Sequence, residues 1–418
     1  MTIPNTTFPA ATVAAASRAT YAAFIGAGFA FASWASRIPQ VRDQLELSSA
    51  ELGLLLLAIA VGSLIALPLA GVIVHRLGSR RTVTAMAVLL GVGLLTVALG
   101  YLLGVVPVVI GLCLVGFANG AWDVAMNVQG ASVEQHLGRS IMSRYHAGFS
   151  LGTVAGAGIG AVMVLASVPV TAHLLVVAIG TAVVIPLAVR GFLPDVAQTA
   201  DRGTETAEHR AEKADRGGVF RRWLEPRTLL IGVFVFAFAF AEGTGNDWIA
   251  VSLIDGYQAS AAAGTVGFAV FLTAMTAGRW FGPNLLDRYG RVAVVRTLAV
   301  VATGGLLVFI FSPSTPLAFV GIGLWGAGTS LGFPVGMSAA ADDPAAAAGR
   351  VSVVASIGYC AFLAGPPLIG FLGEQAGVLK ALNVVAGLLA VAALVAAALR
   401  PLPTAGRPRP AASDDGNS

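Results

Sequence analysis

Four ionisable side chains stand inside long apolar stretches of this chain: Asp123, Glu242, Asp247 and Arg279. An ionisable group is costly in such a setting, so each is a candidate functional residue in its own right. Asn119, Asp123 and Asn127 recur every fourth residue, which on a helix sets them along one face. A carboxylate between two amides can hydrogen-bond the hydroxyls of a small polar solute, and it can also load and release a proton. The competing reading is a buried hydrogen-bond network that joins helices. A carboxylate is a costly way to do what an amide would do, which favours the site. Gly116 and Gly120 on the same stretch leave room for a neighbouring helix to come close.

Glu242 and Asn246 share a second face at i,i+4, and Glu242 is expected to lie opposite Asp123 so that two acids face one cavity. Gly243 and Gly245 weaken a helix. The segment is therefore expected to unwind near its outer end, and broken helices near the bilayer midplane often build solute sites. Asp247 falls nearer the boundary, as a rim or gating group or a merely hydrated one. Arg279, in Gly278-Arg279-Trp280-Phe281-Gly282, is expected to pair with an acid on the cytoplasmic side, Asp287 being the candidate, and to hold a gate there; a solute ligand is the alternative. Arg37, in Ser36-Arg37-Ile38-Pro39, falls at the outer mouth, where it can snorkel. Gly148, Gly152, Gly156 and Gly160 permit close helix contact and carry no chemistry. His146, just before them, reads as a hydrogen-bonded helix-start residue rather than a proton carrier.

The elements that must position these groups are membrane spans. The chain is 56% apolar and 11% charged, with a mean hydropathy of +0.83, whereas a soluble domain carries roughly 25% charged residues. A span takes about 20 apolar residues, and 418 residues hold twelve with short connections. They fall near 18–36, 51–74, 82–103, 107–130, 145–166, 170–190, 228–250, 264–286, 292–311, 317–340, 350–371 and 378–399. The runs are continuous, which excludes the alternation of a β-barrel. The expected fold is an all-α integral membrane protein. Arg18 ahead of the first run resembles a signal-peptide start, but the segment is read as an uncleaved first helix.

Of the 25 Lys and Arg, Arg37, Arg42 and Lys380 fall in or beside odd-numbered connections and Arg279 well inside a span, leaving 21 in or beside the even-numbered connections and tails. Positive residues stay on the cytoplasmic side, so both termini are expected there, in a cell (inner or plasma) membrane. The net charge of +4 and pI of 9.4 thus come from hairpins, which excludes nucleic acid as a partner. Residues 191–227 alternate charge signs and read as a cytoplasmic linker. The chain divides into a tail at 1–17, a six-helix bundle at 18–190, that linker, a second bundle at 228–400, and a disordered tail at 401–418. Cys113 and Cys360 fall inside spans as small core residues. No phosphate loop and no metal-ligand spacing is present, so neither cofactor, metal nor catalysis is expected.

The halves repeat. Gly111-Leu-Cys-Leu-Val-Gly116 matches Gly321-Ile-Gly-Leu-Trp-Gly326 at an offset of 210, Gly138-Arg139 matches Gly349-Arg350 at 211, and His75-Arg76 matches Asp287-Arg288 at 212. Two related bundles imply a site at the midplane between them and rocking of one against the other.

The basic turns at Gly71–Arg81 and Gly282–Arg291 resemble the signature loop of the major facilitator superfamily, Gly-x-x-x-Asp-Arg-x-Gly-Arg-Arg. The first copy has His75 at the Asp position, and the second has Pro283 at the Gly position but keeps Asp287, Arg288, Gly290 and Arg291. The resemblance spans residues 18–400 and implies the twelve-helix fold and alternating access, which the superfamily itself exemplifies. It also implies that Arg76, Asp287, Arg288 and Arg291 gate the cytoplasmic face by holding the bundles together in the outward-open form. Asp123-x-x-x-Asn127 is similar to the Glu-x-x-x-Asn of fucose permeases, whose acid belongs to the sugar and proton site. The antiporter signature of drug exporters would lie in span five, but its Gly-Pro is missing; Gly365-Pro366-Pro367 stands in span eleven instead. The leading reading is a monomeric secondary transporter for a small polar, sugar-like solute, by proton symport. A proton-driven exporter of amphipathic compounds is second, and a non-transporting membrane sensor third.

Overall fold

The computed structural model describes residues 8–138, 141–194, 222–343 and 346–402. Most of the expected linker, residues 1–7 and 403–418 of the expected tails, and Arg139 lie outside the described residues. Helices α1 (Ala10–Ala35), α2 (Ile38–Gln44), α3 (Ser49–Leu77), α4 (Ser79–Gly100), α5 (Val105–Leu137), α6 (Met142–Leu165) and α7 (Val170–Ala188) make the first half. The second comprises α8 (Pro226–Tyr257), α9 (Ala261–Tyr289), α10 (Arg291–Phe311), α11 (Thr315–Thr329), α12 (Gly332–Ala340), α13 (Ala347–Ala376), α14 (Val378–Ala381) and α15 (Asn383–Val395). Eleven helical segments among the described residues are long and apolar enough to cross a membrane. Twelve were expected; the helix at the expected first span, α1, is not among these eleven, starts at Ala10, eight residues before the expected position 18, and packs along α6.

Within the first half α5 is flanked by α3 and α4, and α7 closes on α4; in the second, α11 is flanked by α9 and α10, and α8 packs on α13. The halves meet along α3 against α13 and α6 against α9. Local chemistry sets the ends. Ser48 and Glu51 form a capping box at the start of α3, satisfying N–H groups that no helical carbonyl can reach.

The internal repeat is visible atom by atom. Gly78 and Gly290 turn the chain with φ 78°, ψ 159° and φ 78°, ψ 158°, a left-handed φ that only glycine adopts without strain. These two turns mark the hairpin end of the molecule; the opposite end carries α2. A Cβ at Gly116 would lie 2.0 Å from the carbonyl oxygen of Ile59, and one at Gly326 would lie 2.4 Å from that of Phe271. Ile59 and Phe271 are themselves one repeat apart. Gly111 and Gly321 likewise lie against the carbonyls of Gly93 and Gly305, at 2.8 and 2.6 Å.

One difference breaks the symmetry. The expected break at Gly243 and Gly245 is absent, because α8 runs unbroken through both. Those glycines make room for neighbours: a Cβ at Gly245 would meet the ring of Phe271 at 2.4 Å, and one at Gly243 that of Phe362 at 3.1 Å. The break falls instead at Ser330–Leu331, between α11 and α12, where the first half has continuous α5. Pro334 explains it. A proline has no N–H for the carbonyl four residues back, and its ring crowds that carbonyl; here that is the carbonyl of Ser330.

Candidate functional site

A cavity of about 200 Å³ lies between the two halves. The first half contributes Phe31, Ser63, Leu90 and Asn119, and the second contributes Asn246, Asp247, Tyr359 and Phe362. Every fourth residue of α5 does present one face, but the face is divided. Asn119 reaches the cavity, whereas Asp123 and Asn127 lie one and two turns nearer the hairpin end and bind each other. The Asn127 amide donates to the Asp123 carbonyl at 2.8 Å and to its Oδ1 at 3.2 Å. Tyr359 of α13 is close enough to Asp123 to feel its charge. Gly116 and Gly120 bring α3 against this stretch, as their spacing indicated.

Glu242 is not a free acid facing Asp123. Arg279 Nη2 donates to both of its carboxylate oxygens, at 2.8 and 2.9 Å, and Arg279 Nε donates to the carbonyl of Ser330 at 3.2 Å. The expected Arg279–Asp287 pair does not form. Eight residues along one helix separate their backbones by about 12 Å, and the carbonyl freed by Pro334 lies nearer. Arg279 thus ties α8 to the break between α11 and α12. His146 lies across the interface within electrostatic range of Arg279, its ring edge-on to Phe24 with centroids 5.1 Å apart. It makes no hydrogen bond among the described residues, contrary to the helix-start reading.

Asp247 is the residue that the sequence misplaced most. It lines the central cavity rather than a rim, because α8 continues as a regular helix and carries it beside Asn246. It has no hydrogen-bond or ion-pair partner among the described residues, and the Asn246 Oδ1 is buried without one. Arg37 does not snorkel: it is 2% exposed and its Nε donates to His173 Nδ1 at 2.9 Å.

The two ends of the molecule differ. Opposite the hairpins, Arg42 of the first half holds Asp255 of the second through two bonds of 2.5 and 3.0 Å. Glu374 of α13 accepts from the backbone N–H of Ser49 at the start of α3 at 3.0 Å. A Cβ at Gly53 would lie 2.4 Å from the carbonyl oxygen of Pro366, so α3 and α13 touch there backbone to backbone. All hydrogen bonds between the halves that join described residues lie at this latch end. At the hairpin end Arg76 and Asp287 are exposed with no partner among the described residues, and Arg288 lies over the ring of Tyr289 at 5.1 Å.

Arg291 stays within its own half, bound to Asp342 at 2.9 and 3.0 Å, and Arg227 joins the same carboxylate at 2.8 Å. Burial opposes ionisation of nearby Glu225, but hydrogen bonds from Arg350, Arg222 and Thr228 outweigh it and hold that carboxyl down at about 2. Asp342 and Glu225 went unnoticed because both stand outside the spans. Their signal was an acid beside a basic connection on the side where positive charge collects.

This architecture is that of a transporter, and the comparisons with known proteins agree. The sequence matches the profile of the Major Facilitator Superfamily over residues 8–361 and again over 248–418; the chain belongs to that family and is a multi-pass membrane transporter. It is 32% identical over 384 residues to the uncharacterized transporter y4wD of Sinorhizobium fredii, covering 92% of this chain and 98% of that one. The fold is similar to the nucleoside transporter NupG, with a TM-score of 0.70 at 15% identity over 91% of this chain and 98% of that one. It is also similar to a D-xylose-proton symporter, with a TM-score of 0.70 at 13% identity over 92% and 97%. At such identities the likeness is one of fold.

Proposed function

We propose that the chain is a secondary active transporter that moves a small polar solute by alternating access in symport with protons, its hairpin end in the cytoplasm. The observation that carries this reading is the cavity between the halves, polar on both walls through Asn119, Asn246 and Asp247 and closed over by the contacts of the latch end. On this reading the latch end, where hydrogen bonds join the halves, is the outer side, and the hairpin end, where none joins described residues of the two halves, is the inner side. Arg76, Asp287 and Arg288 then stand free to draw the hairpin end together in the opposite form, and Arg291 joins them if it leaves Asp342. Of the two proteins of similar fold, one is a nucleoside transporter and the other a D-xylose-proton symporter, which suits a hydroxyl-bearing cargo.

Asp123 is the proposed proton carrier, because among the described residues its only hydrogen-bond partner is a neutral amide and no fixed cation holds it ionised. Glu242, by contrast, is committed to Arg279. Asp123→Asn keeps the size and fixes the neutral state. In proteoliposomes the variant is expected to keep solute exchange while losing accumulation driven by a pH gradient. Accumulation at the wild-type level would leave Asp123 a structural residue.

A further inference from the structure

We infer that the cavity between the halves recognises a small organic cation, a protonated amine on a polar skeleton, with Asp247 as its counter-charge. This rests on the polar-solute reading above and names the class of solute.

The charge around the cavity does not balance. Asp247 lines it, Asp123 lies one turn from Asn119 and Glu242 one turn from Asn246, and among the described residues Arg279 is the one fixed cation paired with any of them. That cation is spent, since both oxygens of Glu242 hold one of its nitrogens. Among the described residues Asp123 has only the Asn127 amide and Asp247 has no partner. No Lys, Arg or His lines the cavity. A carboxylate that faces a cavity inside the bilayer with no cation beside it is costly, so the cavity has a place for positive charge.

The remaining walls suit the same ligand. Phe31, Phe362 and Tyr359 surround the space, and aromatic faces attract ammonium groups, most strongly where water is excluded. The Asn119 amide has no partner among the described residues and lines the cavity, where it can meet the hydroxyls of the skeleton. Ser63 donates to the carbonyl of Gly116 at 3.0 Å and so offers only an acceptor. The volume of about 200 Å³ falls below the roughly 300–1,000 Å³ of drug-sized sites, which disfavours bulky amphipathic cations.

The test compares pairs that differ only in an amino group replacing a hydroxyl: D-glucosamine with D-glucose, serinol with glycerol, ethanolamine with ethylene glycol. Binding to the purified full-length protein is read from stabilisation against heat as each compound is titrated. The amine is expected to bind at least about tenfold more tightly in one or more pairs, a difference of about 1.4 kcal/mol. Asp247→Asn should erase that ratio, Asp247→Glu should preserve it, and Phe362→Leu should weaken the amine while sparing its neutral partner. Equal binding within every pair in the wild type would overturn the cation assignment and leave the polar-solute reading standing. No binding by either member of any pair would count against both.

Discussion

Arg279 shows how far a single side chain can be read. Its cost inside an apolar run marked it at once, as it marked Asp123, Glu242 and Asp247. Its partner was not legible, because that depends on a proline in another span. Pro334 strips the Ser330 carbonyl of its helical donor, and Arg279 supplies one while a second nitrogen neutralises Glu242. Arg279→Ala should therefore cost about 2–4 kcal/mol, through an unpaired carboxylate and an unsatisfied carbonyl. Pro334→Ala restores an N–H four residues after Ser330. In that background the loss from Arg279→Ala should shrink by about 1 kcal/mol. Reversible unfolding of the four proteins in mixed micelles gives the cycle, and strict additivity would detach Arg279 from the break.

Among the elements, glycine spacing was legible and glycine purpose less so. The four-residue run in α6 does what its spacing indicated, with Gly152 and Gly156 against the carbonyls of Ile25 and Phe29 at 2.1 and 2.6 Å. The repeat offset found Gly116 and Gly326, and both meet a carbonyl of the preceding hairpin's first helix. Gly243 and Gly245 misled, since periodicity does not tell a glycine that weakens a helix from one that admits a ring. The same distances give a contrast. Gly116→Ala and Gly326→Ala force α3 from α5 and α9 from α11, and each should cost about 1–3 kcal/mol by overpacking. Gly158→Ala adds a methyl where nothing lies within 4 Å and should be neutral or stabilising by up to about 1 kcal/mol. Melting temperatures of the three variants decide it; a loss at Gly158 matching that at Gly116 would sink the packing account.

At the scale of the whole molecule, the two ends oppose each other. The halves can part at one end only by meeting at the other, so contacts at either end bias one equilibrium. Here the latch end carries the hydrogen bonds between halves, with Arg42 and Asp255 as the ion pair among them. Neither residue lies in an apolar run, which is why the cost of buried charge could not single them out. A partly exposed pair contributes about 0.2–1 kcal/mol, little for folding but up to about fivefold in the ratio of two forms. Asp255→Asn should therefore move population toward the form open at the latch end. Spin labels on cysteines at Gln44 and Ser314, with Cys113 and Cys360 replaced by alanine, read that distance directly. The variant should show a larger fraction of long distances, and the exchange Arg42→Asp with Asp255→Arg should return the distribution towards that of the parent. If the single variant leaves the distribution unchanged, closure there rests on the backbone contact of Gly53 with Pro366 and on Glu374 at the start of α3, and the ion pair is incidental to the cycle.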